Sequence, residues 1–121
     1  MIIRHFQASD FSPVTELLNR SYRHSARMSG LTPDRFRSEI NARGGNLMQD
    51  YLVLEGRDSE VLGFCGYSTP ASNARARMDG PIIAYSERGQ GLGRRMWHEL
   101  ADLMRSRNVS SVSVLLENDR V

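Results

Sequence analysis

Ile83-Ala-Tyr-Ser-Glu-Arg88-Gly-Gln-Gly-Leu-Gly93-Arg-Arg-Met96 is the stretch on which the fold turns. It sets three glycines (Gly89, Gly91, Gly93) into five positions and flanks them with Arg88, Arg94 and Arg95. Glycine has no Cβ, so such a run can turn tightly. The strongest helical pattern of the chain follows, from Gly91 to Arg107. Leu92, Met96, Trp97, Leu100, Leu103 and Met104 form one wide apolar stripe and are read as core. Arg94, Arg95, Glu99, Asp102 and Arg105 take the other face. The first amides of a helix have no intrahelical acceptor, and the helix dipole favours negative charge beside them. The turn therefore reads as an anion site made of main chain, suited to a pyrophosphate.

Upstream of that turn the apolar period is that of strands. Tyr51 to Leu54 and Val61 to Tyr67 are two strands joined by the turn Gly56-Arg-Asp-Ser59, a hairpin. Pro70 to Asn73 is turn chemistry again. Met78 to Tyr85 reads as a third antiparallel strand, broken by a bulge at Gly80-Pro81. Before the hairpin, Ile2 to Phe6 is a short strand. Ser12-Pro13 reads as an N-cap followed by a first-turn proline, with Val14, Leu17, Leu18 and Tyr22 at helical spacing. Thr32-Pro33-Asp34 starts a second helix, with Leu31, Phe36 and Ile40 on its apolar side and Gly44-Gly45 as its stop. Beyond the long helix, Asn108 is a stop and Val109 to Leu116 a final strand. The order is β-α-α-β-β-β-α-β: an α/β chain with a mixed, mostly antiparallel sheet, a meander followed by one crossover.

The length of 121 residues fits one domain, 1–121. Apolar residues are 40% and charged residues 25%, ordinary for a globular protein, which argues against a disordered chain. No apolar run approaches the ~18 residues of a membrane span, and MIIRHFQASD carries no signal-peptide core. Cys65 is alone and cannot form an internal disulfide, and no Cys/His spacing suggests a metal. A reducing cytoplasm is the expected compartment. All sixteen basic residues are arginine. Codon bias in a GC-rich genome accounts for that; anion recognition by guanidinium forks is the functional alternative. A net charge of +2 without long basic runs does not point to nucleic acid.

Three glycine-rich loops compete for the stretch. A Walker A loop needs a lysine, and the chain has none. A dinucleotide fingerprint needs a third glycine where Arg94 stands, after the first strand of a βαβ unit. What remains is R-x-x-G-x-G, as Arg88, Gly91 and Gly93. In this the segment resembles the acyl-CoA signature of the GNAT superfamily of N-acetyltransferases. The element order is similar over the whole chain, and the residues are similar from about Ile82 to Asn118.

The resemblance implies acetyl-CoA as cosubstrate and no metal. It implies that Arg88, Gly89, Gln90, Gly91, Leu92, Gly93 and Arg94 wrap the CoA pyrophosphate, chiefly through main-chain amides. Ile83 and Tyr85 match the strand end that pairs with the pantetheine arm, and an amide at Ile83 or Ala84 would polarise the thioester. The strand Val109–Leu116 would splay to leave a slot, with Asn118 as a polar residue after it. Tyr85 stands where the family often has proline. The chain also ends at Val121, before the helix and closing hairpin with which the family continues. The domain thus reads as C-terminally truncated with an exposed last strand: either the chain is a fragment, or a disordered tail is omitted, or a second copy or domain covers that edge, the first half of a tandem acetyltransferase being another source.

Acetyl transfer to an amine calls for a base. Asp79 is the first candidate, on one face with Pro81 and Ile83 unless the bulge breaks parity; an ordinary Asp79-Gly80 turn is the plain alternative. Tyr85, which has a hydroxyl but reads as packing, and Glu117 come next; Glu87 reads as solvated. His5, His24 and His98 have no mutual spacing for a metal or triad, and Cys65 reads as a buried structural thiol. The acceptor, a small-molecule or peptide amine, would meet Tyr22, Arg23, Met28 and Phe36. Arg20, Arg23 and Arg27 would suit an acceptor bearing a carboxylate or phosphate. The function expected is N-acetyl transfer by direct attack; the alternative is a non-catalytic acyl-CoA-binding or interaction domain.

Overall fold

Residues 1–21, 30–69 and 76–107, and the backbone of 112–114, are described by a computed structural model of the chain. Strand β1 (Ile2–His5) leads through a 3-10 turn (Ala8–Asp10) into helix α1 (Phe11–Ser21). Helix α2 (Pro33–Ala42) and a single helical turn, α3 (Leu47–Asp50), precede strands β2 (Tyr51–Glu55), β3 (Val61–Ser68) and β4 (Ala76–Ile83). A second 3-10 turn (Tyr85–Glu87), helix α4 (Leu92–Ser106) and strand β5 (Val112–Val114) follow. The strands form one sheet in the order β1-β2-β3-β4-β5, antiparallel through β4 and parallel between β4 and β5. The sequence order β-α-α-β-β-β-α-β is met, with α3 added.

Each face of the sheet carries its own apolar cluster. Phe6, Val14, Leu17, Leu18, Phe36, Ile40, Tyr51 and Phe64 pack under α1 and α2. Leu52, Leu54, Cys65, Met78, Ile83 and the α4 residues Leu92, Met96, Leu100 and Met104 fill the other side. Strand alternation explains the division, since successive residues of β2 and β3 point to opposite faces. Trp97 corrects the sequence expectation. It is 38% exposed, because the buried α4 stripe recurs at Leu92, Met96, Leu100 and Met104 and Trp97 lies one position off it.

The start of α1 also differs from expectation. Ser12 is not the cap; the 3-10 turn begins after Gln7, whose N–H donates to the Asp10 carboxylate at 2.7 Å. The Arg4 guanidinium donates to both Asp10 oxygens at 2.7 and 3.0 Å. Pro13 then falls in the first turn of α1, where its missing N–H costs no bond.

The bulge in β4 sets the site. Phe64 pairs with Ile82 and Gly66 with Asp79, so two steps along β3 match three along β4. The extra residue lies at Gly80-Pro81, joined by a cis peptide bond. Parity reverses there. Ile83 packs with the α4 cluster, whereas Ile82 packs on the α1/α2 cluster. Asp79 bonds to Arg43 and Tyr51 on that same α1/α2 side. Asp79 and Ile83 therefore do not share a face.

Candidate active site

Strand β4 ends at Ile83, two residues short of the strand end read from sequence. Ala84 N–H donates to Leu62 O at 2.8 Å, which makes Ala84 and Leu62 a hydrogen-bonded pair. Antiparallel alternation then turns the N–H and C=O of Ile83 away from β3, toward the β5 side. The Ala84 amide is committed and is no free donor, so of the two positions expected as alternatives it is ruled out and Ile83 is left. Tyr85 lies in the 3-10 turn, not in the strand, and is 85% exposed, so it does not pack. The Arg88 side chain turns back over it: its guanidinium stands 5.3 Å from the Tyr85 ring centre, and its Nε donates to Ile83 O at 3.1 Å.

The glycine turn follows. Gly89 and Gly91 have φ of +84° and +77°, left-handed values that side-chain-bearing residues rarely adopt. Among the described residues a Cβ at either would meet nothing within 4 Å, so backbone conformation, not space, requires glycine. Gly91 is the N-cap of α4 and has no side-chain cap. Arg95 N–H makes the first return bond, to Gly91 O at 3.1 Å. The amides of Leu92, Gly93 and Arg94 therefore have no intrahelical acceptor. Among the described residues no carboxylate lies within ion-pair distance of Arg88, Arg94 or Arg95. Gln90 reaches Glu87 at 3.5 Å across the turn. The arrangement can hold an anion with main-chain donors, dipole and arginine charge of one sign.

A second group of polar residues sits on the α1/α2 face of β4. Tyr51, Gly66 and Asp79 lie in one row across β2, β3 and β4. A Cβ on Gly66 would fall 1.9 Å from Tyr51 Cδ2, so the tyrosine ring lies over the glycine. Its hydroxyl thereby reaches Asp79 Oδ2 at 2.7 Å. Arg43 Nη1 donates to Asp79 Oδ1, also at 2.7 Å. Arg43 is positioned by the turn that ends α2, in which Gly44 N–H donates to Asn41 O and Gly45 N–H to Ile40 O. Burial, and next the Asp79 carboxylate, push the Tyr51 hydroxyl well above the usual phenol range. Ser68 is fully buried on the same face. Among the described residues its hydroxyl has no hydrogen-bond partner at ordinary distance, though it lies near enough to Tyr51 to temper that rise.

The model of the acetyltransferase (GNAT) family matches residues 11–121. The chain belongs to the GNAT acetyltransferase family. Solved GNAT-fold structures agree. A ribosomal-protein-alanine N-acetyltransferase from Brucella melitensis superposes with a TM-score of 0.76 at 20% identity, covering 94% of this chain and 73% of that one. A GNAT family acetyltransferase from the same organism, in complex with acetyl-CoA, gives 0.74 at 21% over 94% and 74%. The PaiA N-acetyltransferase from Thermoplasma acidophilum, in complex with coenzyme A, gives 0.73 at 15% over 98% and 80%. At these identities the likeness is one of fold. Comparison with curated protein sequences found no match.

The remaining sequence candidates divide as follows. Ile83, Ala84, Tyr85, Arg88, Gly89, Gln90, Gly91, Leu92, Gly93 and Arg94 come together around the N-terminus of this GNAT helix. Phe36 is buried in the core at 4% exposure and does not line an acceptor pocket. Arg20 is exposed and pairs with Glu16. Cys65 is buried, and burial pushes its thiol up to about 12. Tyr22, Arg23, His24, Arg27, Met28, the turn 70–73, Glu117, Asn118 and most of the final strand lie outside the described residues. Among the described residues no group of side chains could hold a metal, and no helix is long and apolar enough to cross a membrane. Sequence reasoning misses Arg43, Tyr51, Gly66 and Ser68. Arg43 carries the one usable signal, a cation directly before the Gly44-Gly45 stop.

Proposed function

We propose that the protein is an acetyl-CoA-dependent N-acetyltransferase that moves the acetyl group to an amine by direct attack. The uncapped N-terminus of α4 behind the left-handed Gly91 carries this reading. Its free amides, with Gly89 to Arg94, suit the diphosphate of CoA, and Arg88, Arg94 and Arg95 add charge. The Ile83 N–H, turned to the β5 side, suits a thioester carbonyl. Asn118 is kept as a further CoA contact after β5. Acetyl-CoA supplies an activated acyl group when bound.

The amine arrives as an ammonium and must lose a proton before it attacks. Asp79 is proposed to take that proton, directly or through water. The amine nitrogen then bonds to the carbonyl carbon, the carbon–sulfur bond breaks, and the nitrogen's surplus proton ends on the leaving sulfur. Tyr85, with its exposed hydroxyl just past the strand end, is the proposed relay: it gives its phenol proton to that sulfur and regains one as the nitrogen sheds its own. The reading takes 1–121 as one domain in a reducing cytoplasm, where the lone Cys65 needs no partner.

A second reading, a domain that holds acyl-CoA without turnover, draws on the two bonds already made by Asp79 to Arg43 and Tyr51. Two measurements decide. Calorimetry with acetyl-CoA should give one site per chain, and free thiol should then appear with an amine. Binding without thiol release from any amine would favour the second reading, and no binding would end both.

A further inference from the structure

We infer that the amine acceptor is a free α-amino acid, read by Asp79 and Arg43 together; this rests on the acetyl-transfer reading above. Both side chains reach solvent, at 15% exposure for Asp79 and 24% for Arg43, although their other surfaces are packed. Each is only partly used. Among the described residues the Asp79 carboxylate, with about four lone-pair sites, gives one to Arg43 and one to Tyr51. The Arg43 guanidinium has about five N–H donors and directs one at Asp79 among the described residues. An unfilled anion and an unfilled cation thus stand side by side, 2.7 Å apart at their contact.

Their place matters as much as their charge. Asp79 directly follows Met78, whose pairing with Val114 is the last β4–β5 pair that the described residues carry. The bulge separates it from Ile83, and the reversal of parity puts it on the opposite sheet face from the α4 cluster. An acceptor at Asp79 would therefore come from the α1/α2 side, while CoA lies along the N-terminus of α4. Tyr51 fixes the carboxylate from beneath, with its ring over Gly66.

Charge complementarity then selects the acceptor. A simple amine would bring its ammonium to Asp79 but leave it facing the Arg43 guanidinium, a like charge. A simple acid would meet Arg43 and be repelled by Asp79. An ammonium and a carboxylate on one carbon satisfy both, the carboxylate meeting the planar fork that suits it. A peptide N-terminus lacks the adjacent carboxylate, and a polyamine adds positive charge beside Arg43.

The test uses the whole chain with acetyl-CoA and reads thiol release. Amino acids are compared with the amines that share their side chain and lack the carboxylate: alanine with ethylamine, phenylalanine with phenethylamine. Wild type is expected to favour the amino acid in kcat/KM by about 50-fold or more. Arg43→Gln, which also loosens the Asp79 carboxylate, should lower kcat/KM for the amino acid at least about tenfold more than for the matching plain amine, so that the preference between the two collapses. Arg43→Lys should recover part of the loss. Acetyl-CoA affinity should stay the same in both variants. Equal rates for amino acid and amine in wild type would overturn the inference, as would bound acetyl-CoA with no turnover of any amino acid; neither depends on a variant folding. Failure to bind acetyl-CoA is a separate result, which removes the acetyl-transfer reading and this inference with it.

Discussion

Tyr51 and Asp79 stand on strands that are not neighbours, yet their side chains meet at 2.7 Å across the glycine that separates them. Gly66 pairs with Tyr51 on one side and with Asp79 on the other. With no side chain of its own, it lets the tyrosine ring lie flat across the row, stacked on Phe64 at 5.4 Å. The phenol is thus rooted in the aromatic core and ends on a partly open carboxylate. Packing and site chemistry share one residue here.

That row predicts two unequal losses. Tyr51→Phe keeps the ring and removes one bond to a charged acceptor, costing about 1.5–3 kcal/mol. Gly66→Ala puts a methyl where the ring lies, 1.9 Å from Tyr51 Cδ2. The ring must move, the Asp79 bond is lost with it, and the cost should reach about 3 kcal/mol or more. Urea unfolding of both variants checks the order; a Gly66→Ala variant as stable as wild type would refute the stacking.

Asp10 predicts acid sensitivity. Burial alone would raise its carboxyl, but the Arg4 guanidinium and the Gln7 amide outweigh that and hold it below the ordinary 3.8. Its folded value is thus lower than its unfolded one. The stability it contributes is present above the unfolded value and is lost as pH falls through the folded value. Asp10→Asn should be less stable at pH 7 by about 2–3 kcal/mol and should lose less of its stability on going from pH 5 to pH 2. Thermal unfolding across that range reads both effects.

What the sequence disclosed follows from range. The Gly89–Gly93 turn, α4 and the hairpin are local, written in consecutive residues, and they were legible down to the residues around the turn. The bulge was legible as Gly80-Pro81, but its consequence was not, because parity after a bulge depends on how many residues the partner strand contributes. The Arg43–Asp79 pair joins residues thirty-six apart through the end of α2. Tyr51 looked like one more apolar strand residue, and the glycine that admits its ring looked like any strand glycine. Trp97 is misplaced by the sequence pattern because a wide apolar stripe does not reveal which of two neighbours faces the sheet.

Cys65 and Tyr51 together predict an alkaline limit. Burial pushes the thiol up to about 12 from an ordinary 9.0, and burial with the Asp79 carboxylate raises the phenol as well. Both groups ionise more easily unfolded than folded. Their contribution is full below the unfolded values and is lost as pH climbs toward the folded ones. Stability should therefore decline from about pH 9 upward. Cys65→Ala should start lower, since it leaves a small cavity, but decline less steeply. A thiol reagent at pH 8 should react with Cys65 only as fast as the chain opens.

Gly91 separates strain from binding most cleanly. Its φ of +77° lies where a β-branched residue is strained, while the space around a Cβ is open to 4 Å. Gly91→Val should therefore destabilise by about 1–3 kcal/mol if the turn is kept, and by less if the turn relaxes. In the relaxed case the amides of Leu92, Gly93 and Arg94 no longer converge, so acetyl-CoA affinity should fall by a hundredfold or more, in order of magnitude, while circular dichroism stays native. Gly91→Asn, which tolerates the left-handed region, should lose much less of both. Calorimetry on the two variants at matched fold gives the answer. Valine and asparagine variants that bind acetyl-CoA as wild type does would show that the cradle is not formed by these amides.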